Sequence, residues 1–150
     1  MSGTNAIAVK KELFRRLALE SALSGVQVTY VLNPRKVRRE CVHGGKILGP
    51  LDQAAMRPTG ARSMREEMPT INVHARVILG GATDWEAEER AAALLGAVID
   101  MVAADPLLAG AVPGLLDLAA VSEEYDTGLG DEESLVAIGT LQLTARSMLT

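Results

Sequence analysis

Residues 71–104 read INVHARVILGGATDWEAEERAAALLGAVIDMVAA, and two periods meet within them. Ile71, Val73, Ala75, Val77 and Leu79 alternate with Asn72, His74 and Arg76, the pattern of a strand with one dry face. The strand is expected over about residues 65–79. After Gly80 and Gly81 the period lengthens. Trp85, Ala92, Leu95, Ile99 and Val102 recur at helical spacing, and Leu94, Val98 and Met101 widen the stripe. This predicts a helix over 84–104 that lies broadly on a sheet. Thr83 and Glu86 match a capping box. Asp84, Glu86, Glu88 and Glu89 crowd the end where the helix dipole favours acids. Glu86 and Arg90 have the spacing of an i,i+4 ion pair. Asp105 and Pro106 end the helix.

On the amino-terminal side, Ala6, Val9, Leu13 and Leu17, with Phe14 and Ala18 beside them, predict a helix over residues 5–24. Thr4 or Asn5 caps its start, and Gly25 takes a left-handed turn after its end. VQVTYVL at 26–32 reads as a strand, Asn33 and Pro34 as a turn, and 36–43 as a second strand completing a hairpin. Residues 44–62, GGKILGPLDQAAMRPTGAR, hold four Gly and two Pro with no sustained period. They read as a long loop with room for a short strand at Lys46–Leu48. On the carboxyl-terminal side, Leu115–Tyr125 and Leu135–Arg146 are expected strands joined by a turn at 126–133. The order α-β-β-β-α-β-β gives an α+β domain: a mixed or mostly antiparallel sheet of about five strands with two main helices packed on it.

A chain of 150 residues fits one domain and buries enough surface to fold without a staple. Four aromatic residues, Phe14, Tyr30, Trp85 and Tyr125, are too few for a carbohydrate site or a base-stacking platform. A single cysteine, Cys41, excludes an internal disulfide and a multi-cysteine metal site. MSGTNAIAVKKE lacks the apolar core of a signal peptide, and no apolar run reaches the ~20 residues of a membrane span. A soluble, cytoplasmic chain is therefore expected.

The net charge of −4 conceals a division. Residues 1–80 carry 13 Lys and Arg against 6 Asp and Glu, whereas residues 81–150 carry 2 against 13. Three arrangements account for it: neutralisation within one sheet, a head-to-tail contact in which the basic flank of one copy meets the acidic flank of the next, or a basic face for nucleic acid.

Candidate chemistry is sparse. Cys41 and His43 are two apart on a strand, but zinc needs at least three protein ligands and the only other histidine is His74. The same spacing is too long for a Cys–His nucleophile pair, and the expected reading is a semi-buried thiol and a surface imidazole. Gly44, Gly45 and Lys46 lack the Ser or Thr and the helix of a phosphate loop. Gly80 and Gly81 precede a helix start too acidic to hold phosphate. Asp126, Asp131, Glu132 and Glu133 do not match a calcium loop. Arg35, Lys36, Arg38 and Arg39 cluster, with Arg57, Arg62 and Arg65 following, as phosphate contacts require, yet no nucleic-acid-binding motif accompanies them. No hydrolytic, redox or transfer set is present, so no enzyme and no cofactor or metal are expected, and the chain reads as one that works by shape and association.

Residues 71–112 end in DPLLAGAV at 105–112, after a strand, a glycine turn and an acidic helix containing Glu89, Arg90 and Ala91. This stretch resembles the tail terminator proteins of long, non-contractile-tailed phages (siphoviruses), the group that includes the phage lambda tail terminator. The amino-terminal helix, the expected arginine-rich hairpin around 35–39 and the two closing strands fit that layout. The resemblance implies a sheet with helices packed on it and a homo-hexameric ring on the head-proximal end of the tail tube. Such a ring stops tube growth, is a virion structural part assembled in the host cytoplasm, and presents a surface to the head–tail connector protein. Its partners are other copies of itself, the tail tube protein, the connector and DNA passing through the lumen. It implies no catalysis and no cofactor. A neck, connector or tail-completion role is the neighbouring alternative, and a small DNA-binding accessory protein using 35–39 a third. The interface residues expected on charge are Arg35, Lys36, Arg38, Arg39, Arg57 and Arg62 on one side and Asp126, Asp131, Glu132 and Glu133 on the other. The acidic set is expected near the lumen or an intersubunit face, and the 44–62 loop against a neighbouring ring.

Overall fold

A computed structural model describes residues 4–49, 57–59, 62–80, 85–130 and 134–149; for 57–59 and 62–65 the backbone alone is described. The elements in chain order are helix α1 (Ala6–Leu17), strands β1 (Gln27–Thr29), β2 (Glu40–Leu48), β3 (Arg57–Thr59), β4 (Arg62–Glu67) and β5 (Thr70–Gly80), helix α2 (Glu86–Ala104), and strands β6 (Leu115–Leu129) and β7 (Ser134–Leu149). Short 3-10 turns lie at Ser21–Leu23 and Leu108–Gly110. The α+β class is as expected, and among the described residues the sheet has seven strands rather than five.

The alternating strand is the axis of this sheet. β4 and β5 together run antiparallel to β7 without a register slip, from Arg65↔Leu149 to Gly80↔Ser134. Met68 and Pro69 interrupt the strand, but the Pro69 carbonyl accepts from the Ala145 N–H at 3.0 Å, so the ladder continues across them. A proline, which has no N–H to give, fits such a break. On its other flank β7 pairs with β6, and on the far side of β5 lies β2. Ile71, Val73, Ala75 and Val77 are fully buried, as their alternation predicts. They meet Val9, Leu13, Phe14 and Leu17 of α1 and Ala87, Ala91, Leu94, Leu95, Val98 and Val102 of α2 in one core. Both helices thus cover the same face. Burying each Val, Leu or Phe side chain contributes roughly 1.5–3 kcal/mol.

Several expectations are corrected. The amino-terminal helix stops at Leu17, and Gly25 takes its left-handed turn (φ 80°) after the 3-10 turn. Asn5 is the N-cap of α1 without a side-chain cap bond, and the Thr4 hydroxyl before it accepts from the Ala6 N–H at 3.0 Å while donating to Glu67. β1 and β2 are not a hairpin: they are parallel, with Gln27↔Cys41 and Thr29↔His43. The Gln27 amide explains this, because it holds the connection folded back by donating to the Lys36 carbonyl and accepting from the Arg38 N–H, both at 2.8 Å. The 44–62 loop is also overturned in part. Residues 44–48 belong to β2, and 57–59 pairs with 62–64 in the β3–β4 hairpin; residues 50–56 and 60–61 lie outside the described set. Gly44 and Gly45 mark a bulge, not a loop. A Cβ on Gly44 would strike the Tyr30 carbonyl, and one on Gly45 the His74 ring. In α2, Trp85 and Ala92 face outward rather than into the core, Trp85 being 59% exposed just ahead of the first turn. The Thr83 half of the expected capping box lies outside the described residues. Finally, β6 continues to Leu129, so Asp126 is a strand residue, not a turn residue.

The link from α2 to β6 has the most unusual backbone. Leu108, Ala109 and Gly110 have φ of 50°, 54° and 75°, a left-handed turn that costs ordinary residues roughly 1–2 kcal/mol each. Arg16 holds it. Its guanidinium pairs with Asp105 at 2.8 Å and donates to the Leu108 carbonyl at 2.8 Å, while the other Asp105 oxygen accepts from the Ala109 N–H at 3.0 Å. Buried Leu108 is the reward for the strained path. Gly114 (φ 87°) follows, and a Cβ there would strike the Met148 carbonyl. Two replacements therefore act in opposite directions. Ala109→Gly is expected to raise stability by about 0.5–1 kcal/mol, and Gly114→Ala to lower it by about 1–3 kcal/mol. Urea unfolding of the two variants checks both signs.

Candidate functional site

The register places the charged segments. Reading straight across the sheet, Gln27, Cys41, Arg76, Ile138 and Asp126 form one row; Val28, Val42, Ala75, Gly139 and Tyr125 the next; Thr29, His43, His74, Thr140 and Glu124 the third. β1 is the strand at one edge, and β6 borders β7 at the other side. Among the described residues β1 pairs only with β2, and β6 only with β7.

At the β1 side, Arg35, Lys36, Arg38 and Arg39 are all exposed. Their backbone is fixed even though their side chains are free to reach outward. Asn33 accepts from the Arg35 N–H through its side chain and from the Lys36 N–H through its carbonyl, Gln27 grips Lys36 and Arg38, and the Arg39 carbonyl accepts from the Ile78 N–H at 2.8 Å. The sequence offered the cations but hid the role of Gln27, which looks like any polar strand residue. At the β6 side, Glu123, Glu124 and Asp126 are exposed. Tyr125 donates to Glu123 at 2.8 Å; its own pKa is pushed up to about 12, first by burial and then by that carboxylate. Glu123 and Glu124 were missed as site residues because an expected strand ending at Tyr125 gave them no special place.

The expected interface residues are thus not brought together within one chain. Arg35, Lys36, Arg38 and Arg39 flank β1, and Asp126 lies four strands away. Arg57 and Arg62 have described backbone in the β3–β4 hairpin, and their side chains lie outside the described set, as do Asp131, Glu132 and Glu133. The amino-terminal end of α2 spans the sheet between the two flanks. Arg90 pairs with Glu40 of β2 instead of Glu86, and Thr127 of β6 donates to Glu88. Both anchors sit on the row Glu40, Val77, Ala137, Thr127, so the helix ties the two sides of the sheet at one level.

The sheet face away from the helices carries the two histidines. His43 is buried, not at the surface, and its ring lies 5.1 Å from that of His74. His74 bonds Thr140 at 2.9 Å. Cys41 is fully buried, and burial pushes its thiol pKa up. Among the described residues no three His, Cys, Asp or Glu side chains are placed to hold a metal ion. An open groove of about 940 Å³ runs between α1 and residues 111–113, lined by Ile7, Ala8, Phe14, Tyr30, Val112 and Pro113 among others. Glu12 borders it, but hydrogen bonding to Arg15 leads the effects that hold its carboxyl at about 2, which makes it a poor general base at neutral pH.

No protein-family model and no curated protein matches the sequence. Among solved structures, the chain is similar to a chain of the virion of a native gene transfer agent particle, with a TM-score of 0.60 and 19% identity, over 99% of this chain and 100% of that one. The likeness is one of fold, and it runs the whole length of both chains.

Burial pushes the pKa of both histidines below the ordinary value, and His43 lowers that of His74 further. The neutral rings therefore stabilise the fold fully above about pH 6.5, the unfolded value, and this contribution is lost as pH falls through the folded pKa values. The melting temperature should drop between pH 7 and pH 5, and the double variant His43→Gln, His74→Gln should flatten that slope. Calorimetric melting across the range checks it.

Proposed function

We propose that this chain is a structural protein of a phage-type virion and acts as a tail terminator. Copies form a six-membered ring on the head-proximal end of the tail tube, stop the addition of tube subunits and offer a surface to the head connector. The observation that carries this reading is the full-length fold likeness to a virion chain. The sequence resemblance over 71–112 supports the finer role, and its DPLLAG segment corresponds to the Arg16-braced left-handed turn. The chemistry is consistent with it: the reading assigns no catalysis, cofactor or metal, and the distinctive surfaces are charged sheet edges suited to association. A closed ring needs a heterologous contact between two different patches, and the basic and acidic flanks supply two. DNA passes through the lumen, where an acidic wall lets a polyanion slide and a basic one retains it.

Deleting the gene from its phage tests the reading. Overlong, irregular, headless tubes in electron micrographs are the expected outcome. Tails of normal length that fail to join heads would move the protein to the neck, and infectious virions of normal form would overturn both roles.

A further inference from the structure

We infer that the ring contact is edge to edge: the β6 edge of one copy, at Glu123–Asp126, meets the β1 edge and the Arg35–Arg39 segment of the next. This deepens the assembly reading and rests on it. Three observations carry the assignment.

The first is level. A closed ring is generated by rotation alone, so surfaces that meet must lie at the same height along its axis. Gln27, Val28 and Thr29 occupy the same three rows as Asp126, Tyr125 and Glu124. Gln27 also binds Lys36 and Arg38, which brings the basic segment to the level of Asp126. Copies set side by side, with strands running along the ring axis, therefore bring the two edges together without a shift.

The second is charge. Glu123, Glu124 and Asp126 are exposed on β6, and no Lys or Arg occurs between Arg90 and Arg146. Arg35, Lys36, Arg38 and Arg39 are exposed at the other edge. Among the described residues, the ion pairs use none of these seven side chains. Pairing two β6 edges would set Glu124 and Asp126 against like charges, which is destabilising, whereas pairing β6 with the basic edge matches opposite ones. The charges thus act against self-pairing of an open edge and select the heterologous partner.

The third is exposed apolar surface on the same strand. Val121 is 58% and Leu129 85% exposed, flanking the acidic stretch on either side. A second copy seated on β6 would cover them.

The test uses the purified full-length chain. Glu124→Lys with Asp126→Lys, and separately Arg35→Glu with Arg38→Glu, should each abolish the oligomer seen by native mass spectrometry while leaving the melting of the monomer unchanged. All four changes in one chain exchange the sign of the substituted charges on both sides and should restore the oligomer. In parallel, Lys36→Cys with Asp126→Cys should give a ladder ending in a closed species with a bis-maleimide; Cys41 is buried and does not compete. An oligomer that survives both half-reversals, or a concentrated wild type that stays monomeric with no ladder from the cysteine variant, would overturn the contact. Rings that follow the charge pattern from a gene whose deletion leaves tail length normal would keep the contact and discard the terminator role.

Discussion

Strand β7 is paired along nearly its whole length on both sides, and the rest of the molecule follows from that constraint. A strand's side chains alternate strictly, so the unslipped β5–β7 register fixes which residues of those two strands face the helices, while β6 keeps step with β7 from Ser122 to Leu129, beyond two bulges. With Ile71↔Leu143, Val73↔Leu141 and Val77↔Ala137 on one face, the other face must take Asn72, His74 and Arg76. A slip of one residue would bury Arg76 among leucines and expose Val77. The unbroken run through Pro69 means that β4 is carried by the same ladder, although its sequence alone has little apolar pattern.

The helices are fastened to that sheet by few polar contacts, each at a place where packing alone leaves freedom. Arg16 of α1 reaches the end of α2 and the left-handed turn, so one guanidinium serves both helices and the entry to β6. Arg90 and Glu88 hold the start of α2 at β2 and β6. Gly139 lets the helix settle: a Cβ there would lie 2.8 Å from Leu95 Cδ1 and 2.8 Å from Tyr125 Cε1. The Tyr125 ring thereby closes the space that a glycine opens in the central strand.

Much of this was legible in the sequence. The β5 alternation and the length of α2 follow from periodicity, because each element buries one face in the same core. The failures share a cause: residues whose role is set by a distant neighbour. Gly44 and Gly45 read locally as loop, but they are glycine because Tyr30 and His74 occupy the space of a side chain. Asn33 and Pro34 read as a hairpin turn, but the Gln27 amide redirects the chain into a parallel crossover. Arg90 has a helical partner in Glu86, but Glu40 lies across the sheet and takes it. The candidate surface was half legible for the same reason. The cations were visible as a cluster, whereas their alignment with Glu124 and Asp126 depends on a register spanning five strands.

That alignment bears on the first explanation of the charge division, neutralisation within one sheet. Neutralisation between the two halves is slight: Arg16 meets Asp105, whereas Arg90 with Glu40 and Arg146 with Glu66 pair only the minority charges of each half. It does not extend to the flanks. β1 and β6 are four strand spacings apart, about 19 Å at 4.8 Å each. The Debye length at physiological salt is about 8 Å, so exposed charges at the two edges barely sense one another. An attraction too weak to matter within the chain becomes a contact at a few ångströms when a second copy is placed alongside. The distance that keeps the two flanks from pairing within one chain is what leaves their charges available for the proposed contact, because a shorter intramolecular path would have consumed them before a neighbour could meet them.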